Sequence, residues 1–510
     1  MNNDKSINTA QDDNGVSESY FRQLIRILIG PGLLFFALLL PFLGPMEARL
    51  GFGILFWMIY WWVSEAVDFK ITALVPLMVV VFYPFVPHGE ALALYVHKHA
   101  FLIIGASMIT CSFVEWDLAK RISLRFMMMF SNRVQVQMVA WFFLSSMVSF
   151  VLGNTPVGAI FAPIAVAALF VGGYVTYQQR YNSKAATNIL IAVAWGASIG
   201  GMTTPLGGGQ AVITWAFFQE YIGQEIFFLD WMLRMLPLSI LIMATMAFFM
   251  YFFMKPDPEE ERFSGTADYH RKELAEMGPM KWEEKICLYG FAGIVALAIT
   301  RPFYADLVAG PWFTWLSPSP LFFIFAMLLF LIPSRQQKGA TLLSIPILVK
   351  YFPSAILFIW PGAVALGRTL NITGVGDVFA GWMAPFIEMG DMASIVATGL
   401  GSTFLSQFLT DTGAAGVLIP LVINAFDGWR GLEFGSVAFI WISGAALSWS
   451  LAVVSATGAQ AICAGYGANI KRMFYYGMAC SALCAVVTVI YFVITIGIMN
   501  LDFYILPPVR

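Results

Sequence analysis

Thirteen long apolar stretches leave this chain few folds to adopt; they fall near residues 27–44, 51–67, 71–87, 100–116, 136–171, 186–217, 231–254, 284–300, 318–333, 343–370, 392–426, 435–466 and 473–500. A bilayer core about 30 Å thick takes about 20 apolar helical residues per crossing. Inside it the backbone must satisfy its own hydrogen bonds, which a helix does within a single segment. Charged residues are 11% of the 510, where a soluble domain carries roughly a quarter, so water is not the main solvent. The expected fold is an all-α integral membrane protein. A net charge of −2, with basic residues confined to short loops and one linker, argues against a nucleic-acid partner. The five cysteines, Cys111, Cys287, Cys463, Cys480 and Cys484, stand inside apolar runs without metal-ligand spacing and are expected to pack as thiols without a disulfide framework. Residues 1–20 lack the basic start and short apolar core of a signal peptide, so the first apolar stretch is expected to stay as a helix.

Basic residues sort these stretches by side. Arg121, Arg125 and Arg133 precede the stretch 136–171, and Arg180 and Lys184 follow it, so both ends belong in the cytoplasm and the segment enters and returns. The stretch 392–426 lies between segments poor in Lys and Arg, 377–391 and 427–430, which suits a mirror-image hairpin entering from outside. Two re-entrant hairpins and about 11 crossings remain. With the amino terminus cytoplasmic, segments 120–133, 255–285, 335–338 and 471–472 lie inside, and the loop 219–230, without Lys or Arg, lies outside. The expected division is a cytoplasmic tail 1–26, a first helix 27–50, and an amino-terminal repeat 51–254 with hairpin 136–171 and broken helix 186–217. A cytoplasmic linker 255–283 follows, read as a solvated charged run, then a carboxy-terminal repeat 284–500 with hairpin 392–426 and broken helix 435–466, and an external tail 501–510. The expected location is the cytoplasmic (inner) membrane, as a multi-pass protein.

The internal repeat carries most of the functional information. The first hairpin reads Ser149, Phe150, Val151, Leu152, Gly153, Asn154, Thr155 and continues to Pro163; the second reads Ser406, Gln407, Phe408, Leu409, Thr410, Asp411, Thr412 and continues to Pro420. After each comes a glycine-containing interruption: Leu206, Gly207, Gly208, Gly209, Gln210, Ala211 in one half and Ala456, Thr457, Gly458, Ala459, Gln460, Ala461 in the other. Small residues also permit close helix packing in membranes. Interruptions paired across two inverted halves, however, point to a transporter site near the midplane, because unwound backbone is tolerated there only where it lines a cavity. Freed carbonyls and the side-chain oxygens of Ser149, Asn154, Ser406, Thr410 and Asp411 suit a hard monovalent cation, and amide donors with helix amino termini suit an anion's carboxylate.

These residues resemble the divalent anion/sodium symporter family, sodium-coupled carriers of dicarboxylates, citrate and sulfate whose hairpin tips carry Ser-Asn-Thr. Trp61, Trp62, Val63, Ser64, Glu65, Ala66 with Thr72, Ala73, Leu74, Val75, Pro76 is similar to that family's second-to-third helix region. Phe113 to Arg121 looks like its amphipathic segment, and Ser198, Ile199, Gly200, Gly201 like the lead into its broken helix. The resemblance implies a homodimer with a static scaffold and a sliding, elevator-type transport domain. It also implies one sodium site from Ser149, Gly153, Asn154 and Gly207 and another from Ser406, Leu409, Thr410, Asp411 and Ala456. Asn154, Thr155, Gly208, Thr412, Thr457 and Gly458 would face the anion.

Departures from the family pattern bear on the substrate. Gly153 and Thr410 replace serine, Asp411 replaces asparagine, and Gly207 to Gln210 and Thr457 to Gln460 replace Thr-Pro-Pro-Asn. An ionised Asp411 about 5 Å from an anion would repel it by roughly 3 kcal/mol at an effective dielectric of about 20. Bound sodium, a proton on the acid, or a less charged substrate would each resolve this, and sodium is the reading adopted. Glu65 and Arg368 are weaker pathway candidates, and His97 with His99 could hold a metal in an outer loop, although a solvated loop is the simpler reading. No catalytic motif stands in the sequence, so an enzyme is not expected. The reading is therefore a sodium-coupled carrier of a small anion, with di- or tricarboxylate foremost. The alternatives are a cation/proton antiporter using Asp411 and a proton-coupled or exchange-type anion carrier.

Overall fold

The computed structural model describes residues 9–96, 99–262, 266–305, 307–308, 316–426, 435–499 and 501. Among them the chain is helical throughout, with isolated bridges only at Arg133–Arg262 and Pro333–Thr341. Six helices are long and apolar enough to cross a bilayer, or up to eight if each of two bent pairs counts as one span. Both arms of the first hairpin are among the six, and several other apolar stretches are divided into shorter helices; the stretch 71–87, for example, holds the eight-residue helix Val75–Phe82.

Two boundaries differ from expectation. Helix Thr9–Leu38 begins inside the expected tail 1–26, where no proline interrupts it, while residues 1–8 lie outside the described part. It ends at 39–45, where Pro41, Gly44 and Pro45 cannot continue a helix, and the next helix, Met46–Ser64, starts before the expected border at 51. Of the tail 501–510 only Leu501 is described, and 427–430 lie outside the described residues.

The tip segments take their form from single residues. Helices Val134–Leu152 and Asn154–Val171 are joined by Gly153 alone, at φ +76° and ψ 156°, a conformation that costs a side-chain-bearing residue about 1–3 kcal/mol. In the other half Asp391–Ser406 and Asp411–Phe426 are joined through 407–410. Helix Lys184–Gly200 stops before an irregular run and resumes as Gly209–Ile222; Gly435–Ala446 likewise gives way to two short 3-10 turns before Gly458–Gly465. Each tip meets the other half's break. A Cβ at Gly458 would lie 2.3 Å from Thr155 Oγ1, and one at Gly209 would lie 2.2 Å from Thr412 Oγ1, so glycine sets both approaches.

Segment 255–283 is not a loose solvated run. It contains helix Thr266–Met277, and its acidic residues tie down the bases of the first hairpin and broken helix. Glu260 accepts from the Ala185 N–H at 3.0 Å and the Tyr174 hydroxyl at 3.0 Å; Asp257 pairs with Lys184 at 2.5 Å; Val134 N–H donates to the Glu261 carbonyl at 3.0 Å. Arg121, fully buried, pairs with Glu284 and donates to the Gly278 carbonyl at 2.7 Å. His270 is also fully buried, and neither ring nitrogen has a partner among the described residues.

Candidate functional site

Both tips and both breaks open onto one cavity of about 390 Å³. Four helices begin at its wall: Asn154–Val171, Gly209–Ile222, Asp411–Phe426 and Gly458–Gly465. The first N–H groups of a helix have no intrahelical acceptor, and the helix dipole adds partial positive charge there. Four such ends around one cavity can accommodate an anion without any arginine in its lining. Leu102, Ile103, Ile356, Ile359 and Trp360 form an apolar wall, with Glu65, Asp68 and Lys70 at the rim.

The first tip is a cage of oxygens. Ser149 Oγ donates to the Ala197 carbonyl at 2.6 Å and stands 3.5 Å from the Gly207 carbonyl. The amide terminus of Asn154 that points into this group lies 2.9 Å from the Ala197 carbonyl oxygen, 2.8 Å from the Gly207 carbonyl oxygen and 3.1 Å from Ser149 Oγ. With its nitrogen inward the amide donates to these oxygens; with its oxygen inward it faces only oxygens, and a cation among them would hold it there. The donor set fits a small hard cation. A Cβ at Gly201 would fall 2.0 Å from Asn154 Oδ1 and 2.7 Å from the Gly207 carbonyl, so only glycine leaves the cage its space.

The second tip is built differently. Asp411 is 3% exposed; one carboxylate oxygen accepts from the Ser450 hydroxyl and the other has no hydrogen-bond partner among the described residues. Ser450 is held in turn through its carbonyl by Gln460 Nε2 at 2.9 Å. Thr410 Oγ1 accepts from the Gly413 N–H at 3.1 Å, and Ser406 donates to the Thr403 carbonyl at 2.8 Å. Gln407 braces the break from behind, donating to the Trp449 carbonyl at 2.9 Å.

The structure gathers the expected residues in one place. Gly153, Asn154, Thr155, Gly208, Thr410, Asp411, Thr412, Ala456, Thr457 and Gly458 line the cavity, whereas Ser149, Gly207, Ser406 and Leu409 are buried behind it. Thr457 accepts from the Gln460 N–H at 3.3 Å and meets Ser198 Oγ at 3.3 Å. Sequence reasoning missed Ser450 and Lys70, which lie outside the repeated motifs, and gave no role to Gln407 within the second of them. Arg368 does not line the cavity: it donates to the Ala93 carbonyl at 2.9 Å and the Val96 carbonyl at 3.1 Å and pairs with Glu220 at 3.6 Å. Glu65 ends its helix in a left-handed conformation at φ 51° and reaches the rim. His99 is not in a solvated loop: it is buried, 2.9 Å from Ser319 Oγ and stacked on Trp215, while His97 lies outside the described residues.

The sequence profile of the citrate transporter family matches residues 59–453. Among curated proteins, the sodium-dependent dicarboxylate transporter SdcS of Staphylococcus saprophyticus is 25% identical over 411 residues, 78% of each chain. Its namesake from a Staphylococcus aureus strain is 22% identical over 492 residues, 94% of this chain and 92% of the other. In fold, the chain is similar to solved MtrF of Neisseria gonorrhoeae, described among antimetabolite efflux pumps, with a TM-score of 0.51 and 11% identity over 82% of this chain and 84% of that one. The resemblance to the divalent anion/sodium symporters holds, and the protein is a multi-pass membrane transporter and not an enzyme. The chain belongs to the citrate transporter family.

Proposed function

We propose that this protein carries a di- or tricarboxylate across the cytoplasmic membrane coupled to sodium, with its amino terminus cytoplasmic and its carboxy terminus external. The observation that carries the anion is the meeting of four helix amino termini at one cavity. Thr155, Gly208, Thr412, Thr457 and Gly458 face the anion, and Asn154 serves both partners. Coupling to sodium is supported by the oxygen cage of Ser149, Asn154, Ala197 and Gly207, with Gly153 shaping its turn. The second cation group is Ser406, Leu409, Thr410, Asp411 and Ala456, with Ser450 added by its bond to Asp411. The relatives named as sodium-dependent dicarboxylate transporters support the same pairing of ion and substrate.

In this reading the hairpins and broken helices of two inverted repeats form the moving part of an elevator, and the remaining helices, to a total of 11 crossings, form a homodimeric scaffold. The crossed contacts of Thr155 with Gly458 and of Thr412 with Gly209 are what such a symmetry would produce. A thermal-shift screen of the purified protein with succinate, malate, citrate and sulfate, each in sodium and in potassium, tests the function. Stabilisation rises with ligand concentration over Kd, and the expected result is a shift by a dicarboxylate in sodium only. A protein that responds to sodium and pH and to none of these anions refutes it; the unpartnered Asp411 oxygen then favours a cation/proton antiporter.

A further inference from the structure

Among the described residues, Lys70 is the only basic one lining the cavity; the other charged groups there are Glu65, Asp68 and Asp411. It sits at the rim in a short helix, Phe69–Thr72, whose start is fixed by Asp68 Oδ1 accepting the Lys70 N–H at 2.8 Å. Its side chain is half-buried, and no carboxylate of the described residues pairs with its ammonium. Opposite this rim, Asp411 apart, the anion surfaces are neutral: hydroxyls and backbone N–H groups at four helix ends. Such ends accommodate a carboxylate but offer only partial charges, and they cannot distinguish strongly between one carboxylate and two. A full charge held apart from them can.

We propose that Lys70 is the specificity residue for the second carboxylate: one end of the anion docks on the tips and breaks, and the Lys70 ammonium faces the other. This rests on the reading of the protein as a dicarboxylate carrier. A rim lysine that merely extends its charge to the membrane surface would carry the same sequence signature, so the test must report on substrate charge. Glu65 and Asp68, also at the rim, penalise a dianion wherever Lys70 is absent, which sharpens the expected contrast.

The experiment compares succinate with succinamate, which has the same length and one charge fewer, in sodium-loaded binding titrations of the purified wild type, Lys70→Gln and Lys70→Arg. Lys70→Gln is expected to weaken succinate binding about tenfold, equivalent to about 1.4 kcal/mol, with succinamate little changed; Lys70→Arg should restore most of the loss. Equal weakening of both ligands, or none of either, overturns the proposal while leaving the carrier reading intact. Failure of the wild type to bind either ligand in sodium overturns the carrier reading and this proposal with it.

Discussion

Asp411→Asn should make anion binding independent of sodium. The carboxylate begins helix Asp411–Phe426, is 3% exposed, and adjoins Thr412 on the cavity wall. Its only hydrogen bond among the described residues comes from Ser450, whose neutral hydroxyl cannot offset a full charge. At about 5 Å and an effective dielectric of about 20, a charged Asp411 repels one carboxylate by about 3 kcal/mol. That is over a hundredfold in affinity. A cation at the second tip removes this penalty, and so does the amide, which keeps the shape and an oxygen for Ser450 to donate to. Wild type should therefore bind succinate in sodium and hardly at all in potassium, whereas the variant should gain about a hundredfold in potassium. Isothermal titration in the two salts measures this directly, and the potassium arm does not depend on whether the variant still binds sodium. An unchanged potassium affinity in Asp411→Asn would refute the argument that this charge couples the ion to the anion.

Two further outcomes test the moving parts. Asn424 Nδ2 donates to Asn371 Oδ1 at 2.9 Å, joining the second hairpin's arm to helix Ile356–Ile372; an elevator must break this contact, so oxidising Asn371→Cys/Asn424→Cys should stop uptake in proteoliposomes and reduction should restore it. Undiminished uptake by fully cross-linked protein would exclude sliding at this interface; the five native cysteines are all buried. Burial, opposed in part by the nearby Glu273 charge, holds the His270 imidazole down to about 4. Because the folded form favours neutral imidazole, this stabilisation is whole above about pH 6.5 and is lost as pH falls toward about 4, by about 3 kcal/mol. Hydrogen exchange of helix Thr266–Met277 should rise over that range in wild type and stay flat in His270→Phe, and parallel profiles would refute it.

How much of this was legible depended on whether a residue's role was set by its neighbours in sequence or in space. Gly153 could be read because a lone glycine between two apolar runs marks a turn, and the paired motifs around Asn154 and Asp411 announced that both tips mattered. What they faced could not be read: Thr155 touches Gly458 and Thr412 touches Gly209, contacts between halves far apart in the chain. Ser450 belongs to a break whose apolar surroundings give no periodic signal, so its bond to Asp411 exists only in three dimensions. In the acidic run at 259–261, Glu259 and Glu261 are exposed as a solvated surface would be, but charge composition does not reveal that Glu260 has partners. Its partners, the Ala185 N–H and Tyr174 hydroxyl, lie at the base of the preceding half. Helix Thr9–Leu38 was underestimated for the opposite reason, since its polar first turns have no apolar period to read.

In the proposed cycle the two tips are unequal, although the repeat suggests a matched pair. The first offers a cation neutral oxygens only, from Ser149, Asn154 and the Ala197 and Gly207 carbonyls, and the Asn154 amide can satisfy those carbonyls itself by turning its nitrogen inward. That group therefore has a stable arrangement without an ion. Asp411 has no such alternative while it is ionised: only a bound proton or a cation satisfies it, and one of its oxygens is buried without a partner among the described residues. Burying an uncompensated charge costs several kcal/mol, so the second tip has the greater free-energy gain from a cation. The cycle therefore expects ion binding at Asp411 to govern whether the cavity accepts a dianion, and the first tip to tolerate being empty. In that cycle the departure from asparagine at position 411 makes the anion depend on the ion, which the Asp411→Asn titration checks.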